Sequence, residues 1–121
     1  MDKNPWIQEF SGAIIVCDTE GIILEMNDQA VRRFQDQGGK QLLGSDLLDC
    51  HPEPFRTKVK QLMEKQEVNV LPIEKDGIGK LVYQTPWYVD GKYSGFVAIE
   101  VVLPYSMKQF ISDLSQRTHQ G

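Results

Sequence analysis

Two spacings of apolar positions divide the chain. Period-two alternation rich in β-branched residues marks 13–17 and 22–26, then returns at 68–73, 80–89 and 93–102. Helical spacing occupies the ground between. Ala30, Val31 and Phe34 follow Asn27 and Asp28 as the apolar positions of an N-capped helix should. Across 53–66, Phe55, Val59, Leu62 and Met63 fall at i, i+4, i+7 and i+8, one apolar stripe. Pro54 suits a first helical turn, and Pro52 holds His51 extended.

The punctuation agrees with this division. Asp18-Thr19-Glu20-Gly21 offers a side-chain acceptor at its start and a residue tolerant of positive φ at its end, as a short hairpin needs. Asp76-Gly77 and Asp90-Gly91 are hairpin dipeptides. Gly38-Gly39 breaks the helix begun at Asn27, and 40–49 predicts a short helix and turn with Leu42, Leu43, Leu47 and Leu48 pointing inward. Asn4-Pro5 opens a short helix whose apolar side is Trp6, Ile7 and Phe10. At the other end, 105–117 predicts a helix with Ser106 and Gln109 as a capping box and Met107, Phe110, Ile111 and Leu114 along one side. The order ββααβββ, with a helix at each end, indicates an α+β domain: an antiparallel sheet with helices over one face.

Length and charge narrow the function classes. A chain of 121 residues supports one core and is too short for two. A net charge of −4 with no basic run argues against a nucleic-acid surface. Neither a secretory leader nor an apolar run of spanning length is present, so no membrane association and a cytoplasmic location are expected. Cys17 and Cys50 then fit free thiols. Catalysis finds no support: there is no Gly-rich phosphate loop and no H-E-x-x-H. Ser45, Asp49 and His51 lack the strand-turn-helix setting of a nucleophile elbow, and His119 lies in the tail. The expectation is a domain that is not itself an enzyme.

The run AIIVCDTEGIILEMN, the apolar helix after it, LLGSDLLD, and strands carrying YQTPWYVDGKYSGFVAIEVV together resemble the PAS (Per-Arnt-Sim) sensory domains over about residues 12–103. LLGSDLLDCHPEPFRTKV with FVAIEVV is similar to a bacterial subgroup with a Cys-His-Pro tripeptide before the long helix. The resemblance implies a five-stranded antiparallel sheet of order 2-1-5-4-3 with helices over one face. It implies a PAS core at 13–103 within a single domain 1–121, a cap helix in 1–12 and a signalling helix in 104–121. It also implies a small-molecule or cofactor pocket between sheet and helices.

By that resemblance the pocket positions are Ile15, Cys17, Leu24 and Met26 on the first hairpin, Ala30, Phe34, Val59, Leu62 and Met63 on the helices, and Val82, Gln84, Phe96, Ala98 and Glu100 on the last strands. Gln84 and Glu100 are the telling members, because a buried carboxylate must be paired, hydrogen-bonded or protonated. Neighbouring strands would set them side by side as a polar pair facing a ligand. The alternatives are a packed interior without a ligand, and polar groups satisfied by backbone or water near 40–54.

On the opposite face the alternation leaves Leu81, Tyr83, Trp87, Val97, Ile99 and Val101, an apolar area that needs a cover. Trp6, Ile7 and Phe10, or the C-terminal helix, would supply it within one chain or across a two-fold axis. A homodimer is expected, with a monomer whose end helices fold back as the alternative. For cofactors, His51 is the haem candidate, imidazole being a competent axial ligand. Its commoner role would be capping the next helix or donating to a carbonyl. The residues near it fall short of a four-ligand zinc site. The Asn-Cys-Arg motif of flavin light sensors is absent, and an unmodified flavin has no positive signal. The expected function is a bacterial sensor module. Its pocket state passes through the last strand, the C-terminal helix and the dimer contact to an effector such as a kinase, cyclase or transcription regulator, in trans or beyond this chain. The alternatives are a ligand-free dimerisation or docking module and a haem redox or gas sensor.

Overall fold

The computed structural model describes residues 4–104 and Ser112; the apolar side expected for the C-terminal helix (Met107, Phe110, Ile111, Leu114) lies outside the described residues. In chain order the elements are α1 (Pro5–Gln8), β1 (Ala13–Cys17), β2 (Ile23–Met26), α2 (Asp28–Arg33), α3 (Phe55–Lys65), β3 (Asn69–Lys75), β4 (Ile78–Val89) and β5 (Lys92–Val102). Three short 3-10 turns, Gln35–Gln37, Gly39–Leu42 and Leu47–Cys50, carry the chain from α2 to α3. The strands form one sheet in the order β2-β1-β5-β4-β3, every neighbouring pair antiparallel. Fold class and strand order are those expected.

The first hairpin closes as its residues dictate. Asp18 Oδ1 accepts from the N–H groups of Glu20 and Ile22 at 2.9 and 3.0 Å, and Gly21 takes φ +86°. A bulge then corrects the expected alternation. Val16 faces Glu25 and Cys17 faces Ile23, so Leu24 is the extra residue and breaks the period. Ile23 and Met26 turn inward, while Leu24 is 48% exposed and does not line the cavity beneath the helices. The free edge of β2 is covered by its own chain: Ile23 N–H donates to Ser45 O, Gly44 N–H to Ile23 O and Leu47 N–H to Gly21 O.

Asn27 caps α2, its side chain accepting from Ala30 N–H at 3.0 Å. The helix ends earlier than Gly38-Gly39, at the Phe34 cap, and continues as 3-10 turns. The linker places its leucines unequally. Leu47 is in the core and Leu42 and Leu48 pack against it, but Leu43 is exposed. On α3, Val59 and Leu62 are buried, whereas Phe55, expected on the inner stripe, is 53% exposed at the helix start. The helix opens with Pro54 as its N-cap, so Phe55 lies in the first turn, at the margin of the core.

Ile15, Cys17, Ile23, Met26, Ala30, Leu47, Val59, Leu62 and Phe96 make the core under the helices. Burying each large apolar side chain there contributes on the order of 1.5–3 kcal/mol. Leu81 and Val101, Tyr83 and Ile99, and Thr85 and Val97 pair across the far face of β4 and β5. α1 lies at one edge of that face. A methyl on Gly12 would touch both Val101 Cγ1 and Phe10 Cε2, so the Phe10 ring rests beside Val101. Trp6 stands edge-on to Phe10, with ring centroids 6.4 Å apart, and stays largely exposed; Ile7 is half-buried.

Candidate functional site

Between the inner face of the sheet and the helices lies a cavity of about 70 Å³. Ala13, Ile15, Val82, Gln84, Phe96, Ala98, Ile99 and Glu100 make its floor; Phe34, Leu47, His51 and Val59 make its roof. It opens into a groove of about 350 Å³ running between α3 and β3, with Phe34, His51, Val59, Val82, Gln84 and Glu100 common to both. The inner void is apolar and the polar groups stand at its outlet.

Register explains where those polar groups go. Gln84 lies opposite Ala98, and Glu100 opposite Val82, so the two are diagonal rather than side by side. Each has its own partners, and the expected Gln84–Glu100 pair does not form. Asn69, directly across the β3–β4 ladder, donates its Nδ2–H to Gln84 Oε1 at 2.9 Å. Glu100 Oε1 accepts from Arg33 Nε at 3.3 Å and from Lys80 Nζ at 3.2 Å. The carboxylate is 18% exposed and is paired at the cavity mouth rather than inside the void. Arg33 is held there by a second contact, its guanidinium carbon 5.0 Å from the centroid of the Phe34 ring. Among the described residues no buried side-chain nitrogen or oxygen lacks a partner.

His51 reaches the roof because Pro52 follows it. Its backbone is extended, φ −114° and ψ 120°, and its ring Nδ1–H donates to Leu47 O at 3.0 Å. The carbonyl-bonding role weighed from the sequence is the one the ring plays. Arg56 fixes the same turn, its Nε–H donating to the carbonyls of Leu48 and His51. Sequence reasoning weighed His51 as a haem candidate, a helix cap or a donor to a carbonyl, but not as a residue lining the cavity. The signal that it lines the cavity was the His-Pro step itself, which stops the chain from coiling away.

Of the expected pocket positions, Ile15, Phe34, Val59, Val82, Gln84, Phe96, Ala98 and Glu100 line the cavity. Cys17, Met26, Ala30 and Leu62 are core residues packed away from it, and Met63 borders a separate depression beside Tyr93. Burial pushes the Cys17 thiol up, its backbone contact with Phe96 partly opposing this, which keeps the sulfur protonated and unreactive. Ala13, Leu47 and His51 line the cavity and were not foreseen there; Ile99, expected on the far face and paired there with Tyr83, also borders the cavity from between Ala98 and Glu100. Among the described residues no three metal-ligating side chains converge. The inner void is several times smaller than the roughly 300–1,000 Å³ of common cofactor and ligand pockets. A haem or flavin ring would require α3 and the 47–51 turn to move away from the sheet, so the residues as arranged do not fit either group.

The chain matches no family model, and no curated protein matches it. Solved structures do. A C-terminal domain from Streptococcus mutans superposes with a TM-score of 0.68 at 18% identity, covering 90% of this chain and 85% of that one. The PAS domain of Bordetella pertussis BvgS gives 0.63 at 13% identity over 98% of this chain and 95% of its own. The PAS domain of the histidine kinase ThkA gives 0.60 at 22% identity over 74% of this chain and 97% of its own. With the strand order and the placing of the helices, these likenesses show that the chain has the PAS fold. No helix among the described residues is long and apolar enough to cross a membrane.

Proposed function

We propose that this chain is a sensory PAS module that holds a small molecule at the cavity and its groove, and acts in the cytoplasm on a separate effector without catalysis of its own. The observation that carries this reading is an apolar void whose outlet is ringed by ordered polar groups, Gln84, Glu100 and His51. Kinship of fold with the PAS domain of a histidine kinase supports a kinase or similar regulator as the effector class. A ligand acts by favouring one packing of β4 and β5 against the helices, through its different affinity for the two. The far face relays that packing to a second copy: Val70 and Tyr83 face one another across the ladder there and both are exposed.

The test is a denatured extract of the purified protein read by mass spectrometry, beside Ala98→Leu, which fills the void from β5. Wild type should release one compound in stoichiometric amount and Ala98→Leu should not. Sedimentation of the same preparations should show a dimer that Tyr83→Lys dissociates. An empty extract from wild type, with no compound in a metabolite panel raising its melting temperature, would leave a docking module instead. A monomer at all concentrations would remove the relay through a second copy.

A further inference from the structure

The grooves at the cavity outlet carry a charge opposite to that of the whole chain. Lys58 and Arg33 line the groove beside α3, and Arg32, Arg33 and Lys80 line the adjoining one beyond Glu100. Among the described residues Glu100 is the sole carboxylate in either wall, in a protein of net charge −4. Cations gathered on an acidic chain around a concave opening draw an anion to it. Behind them the surface turns apolar at once, since the Phe34 ring under the Arg33 guanidinium also roofs the void.

From this juxtaposition we infer that the site, if it holds a small molecule as proposed above, takes a compact organic acid: an apolar body in the void and a carboxylate between Arg33 and Lys80. Glu100 occupies that position in the present structure, one oxygen accepting from both cations. It is a stand-in for the ligand's own carboxylate, and the two compete for the same donors. Arg33 can serve both, because a guanidinium presents five N–H donors in a fork and Glu100 engages it through Nε. Lys58, also in the groove wall, offsets the second negative charge. Shape limits the acid's size: the void holds only a few carbon atoms' worth of space, and the rest of the body lies in the groove.

Calorimetric titration with octanoate, octan-1-ol and octylammonium separates charge selection from apolar filling. Octanoate should bind roughly ten- to a hundredfold more tightly than octan-1-ol, the worth of one or two charge-assisted hydrogen bonds. Octylammonium should be the weakest of the three. The double variant Arg33→Gln, Lys80→Gln should erase the selection, binding octanoate no more tightly than it binds octan-1-ol. Glu100→Gln should tighten octanoate several-fold, as competition from the internal carboxylate ends. Octan-1-ol binding as well as octanoate would overturn the inference yet leave a ligand-holding cavity. Octanoate weakened by Glu100→Gln would overturn the stand-in role. Silence from all three probes would overturn the inference whatever the extract shows, and an empty extract as well would remove the ligand-holding reading with it.

Discussion

Alanine at Gly95 will cost this domain more than about 3 kcal/mol, a large part of what a domain of this size has to lose. Gly95 sits opposite Trp87 in the β4–β5 ladder, with φ +148°, a conformation that L residues other than glycine rarely adopt. The Trp87 indole lies across it and donates Nε1–H to the Cys17 carbonyl on β1 at 2.9 Å. One side chain therefore spans three strands, and the bare glycine is what lets it pass. A methyl group at Gly95 would fall within the van der Waals envelope of the Cys17 oxygen, and within 2.7 Å of Trp87 Nε1 and 2.9 Å of Asp18 Cα. Two of those neighbours are backbone and cannot swing aside. Trp87→Phe supplies the control. It keeps most of the ring and loses the hydrogen bond, at a cost of about 1–2 kcal/mol. Urea unfolding followed by circular dichroism measures both. Should Gly95→Ala shift the midpoint less than Trp87→Phe, the close-approach account is wrong.

This crossing shows what pattern can and cannot disclose. The far-face position of Trp87 followed from alternation alone; its bond to a carbonyl 70 residues earlier did not, because alternation carries no information about reach. The same boundary recurs across the molecule. Asp76-Gly77 and Asp90-Gly91 were legible as hairpins, and each pair takes the two positive φ values that such turns require, 54° and 78°, then 49° and 81°. The strand order followed from the resemblance carried by residues 12–103. The bulge that expels Leu24 was not legible, since one extra residue in a four-residue strand leaves no periodic trace. At the site, alternation put Gln84 and Glu100 on the inner face. Their partners depended on register and on distant elements: Asn69 comes from β3, Lys80 from β4 and Arg33 from the end of α2. A correct face therefore coexisted with a wrong pairing. The apolar stripe on α3 failed at Phe55 for a related reason. Helical spacing says which residues share a side, but the extent of the sheet beneath them decides how many are covered.

Asn27 is where local reading and distant consequence meet, and its replacement should have the second large effect. The cap to Ala30 N–H was visible in the sequence, yet it is one of four bonds. Asn27 Oδ1 also accepts from Ile14 N–H at 2.9 Å, while Asn27 N–H donates to Ile14 O, so the side chain extends the β1–β2 ladder one step past the end of β2. Nδ2 donates to Ile7 O at 3.0 Å and to Gly12 O at 2.8 Å, tying the segment around α1 to the core. The residue is 1% exposed, and its amide uses both donors and both acceptor sites. Asn27→Ala strands two buried N–H groups and two carbonyls, and should cost about 2–5 kcal/mol. Asn27→Asp separates the halves of the role. It keeps acceptors for Ile14 and Ala30, but sets carboxylate lone pairs against the Ile7 and Gly12 carbonyls. The segment before β1 should then detach, with its amides exchanging at least about tenfold faster and proteases cutting near Phe10, while the Ala30 amide stays protected. This matters for signalling, because α2 carries Asn27 at its start and Arg33, the mouth of the cavity, at its end. If the 4–12 amides in Asn27→Asp exchange as slowly as in wild type, the tether is not where this geometry puts it.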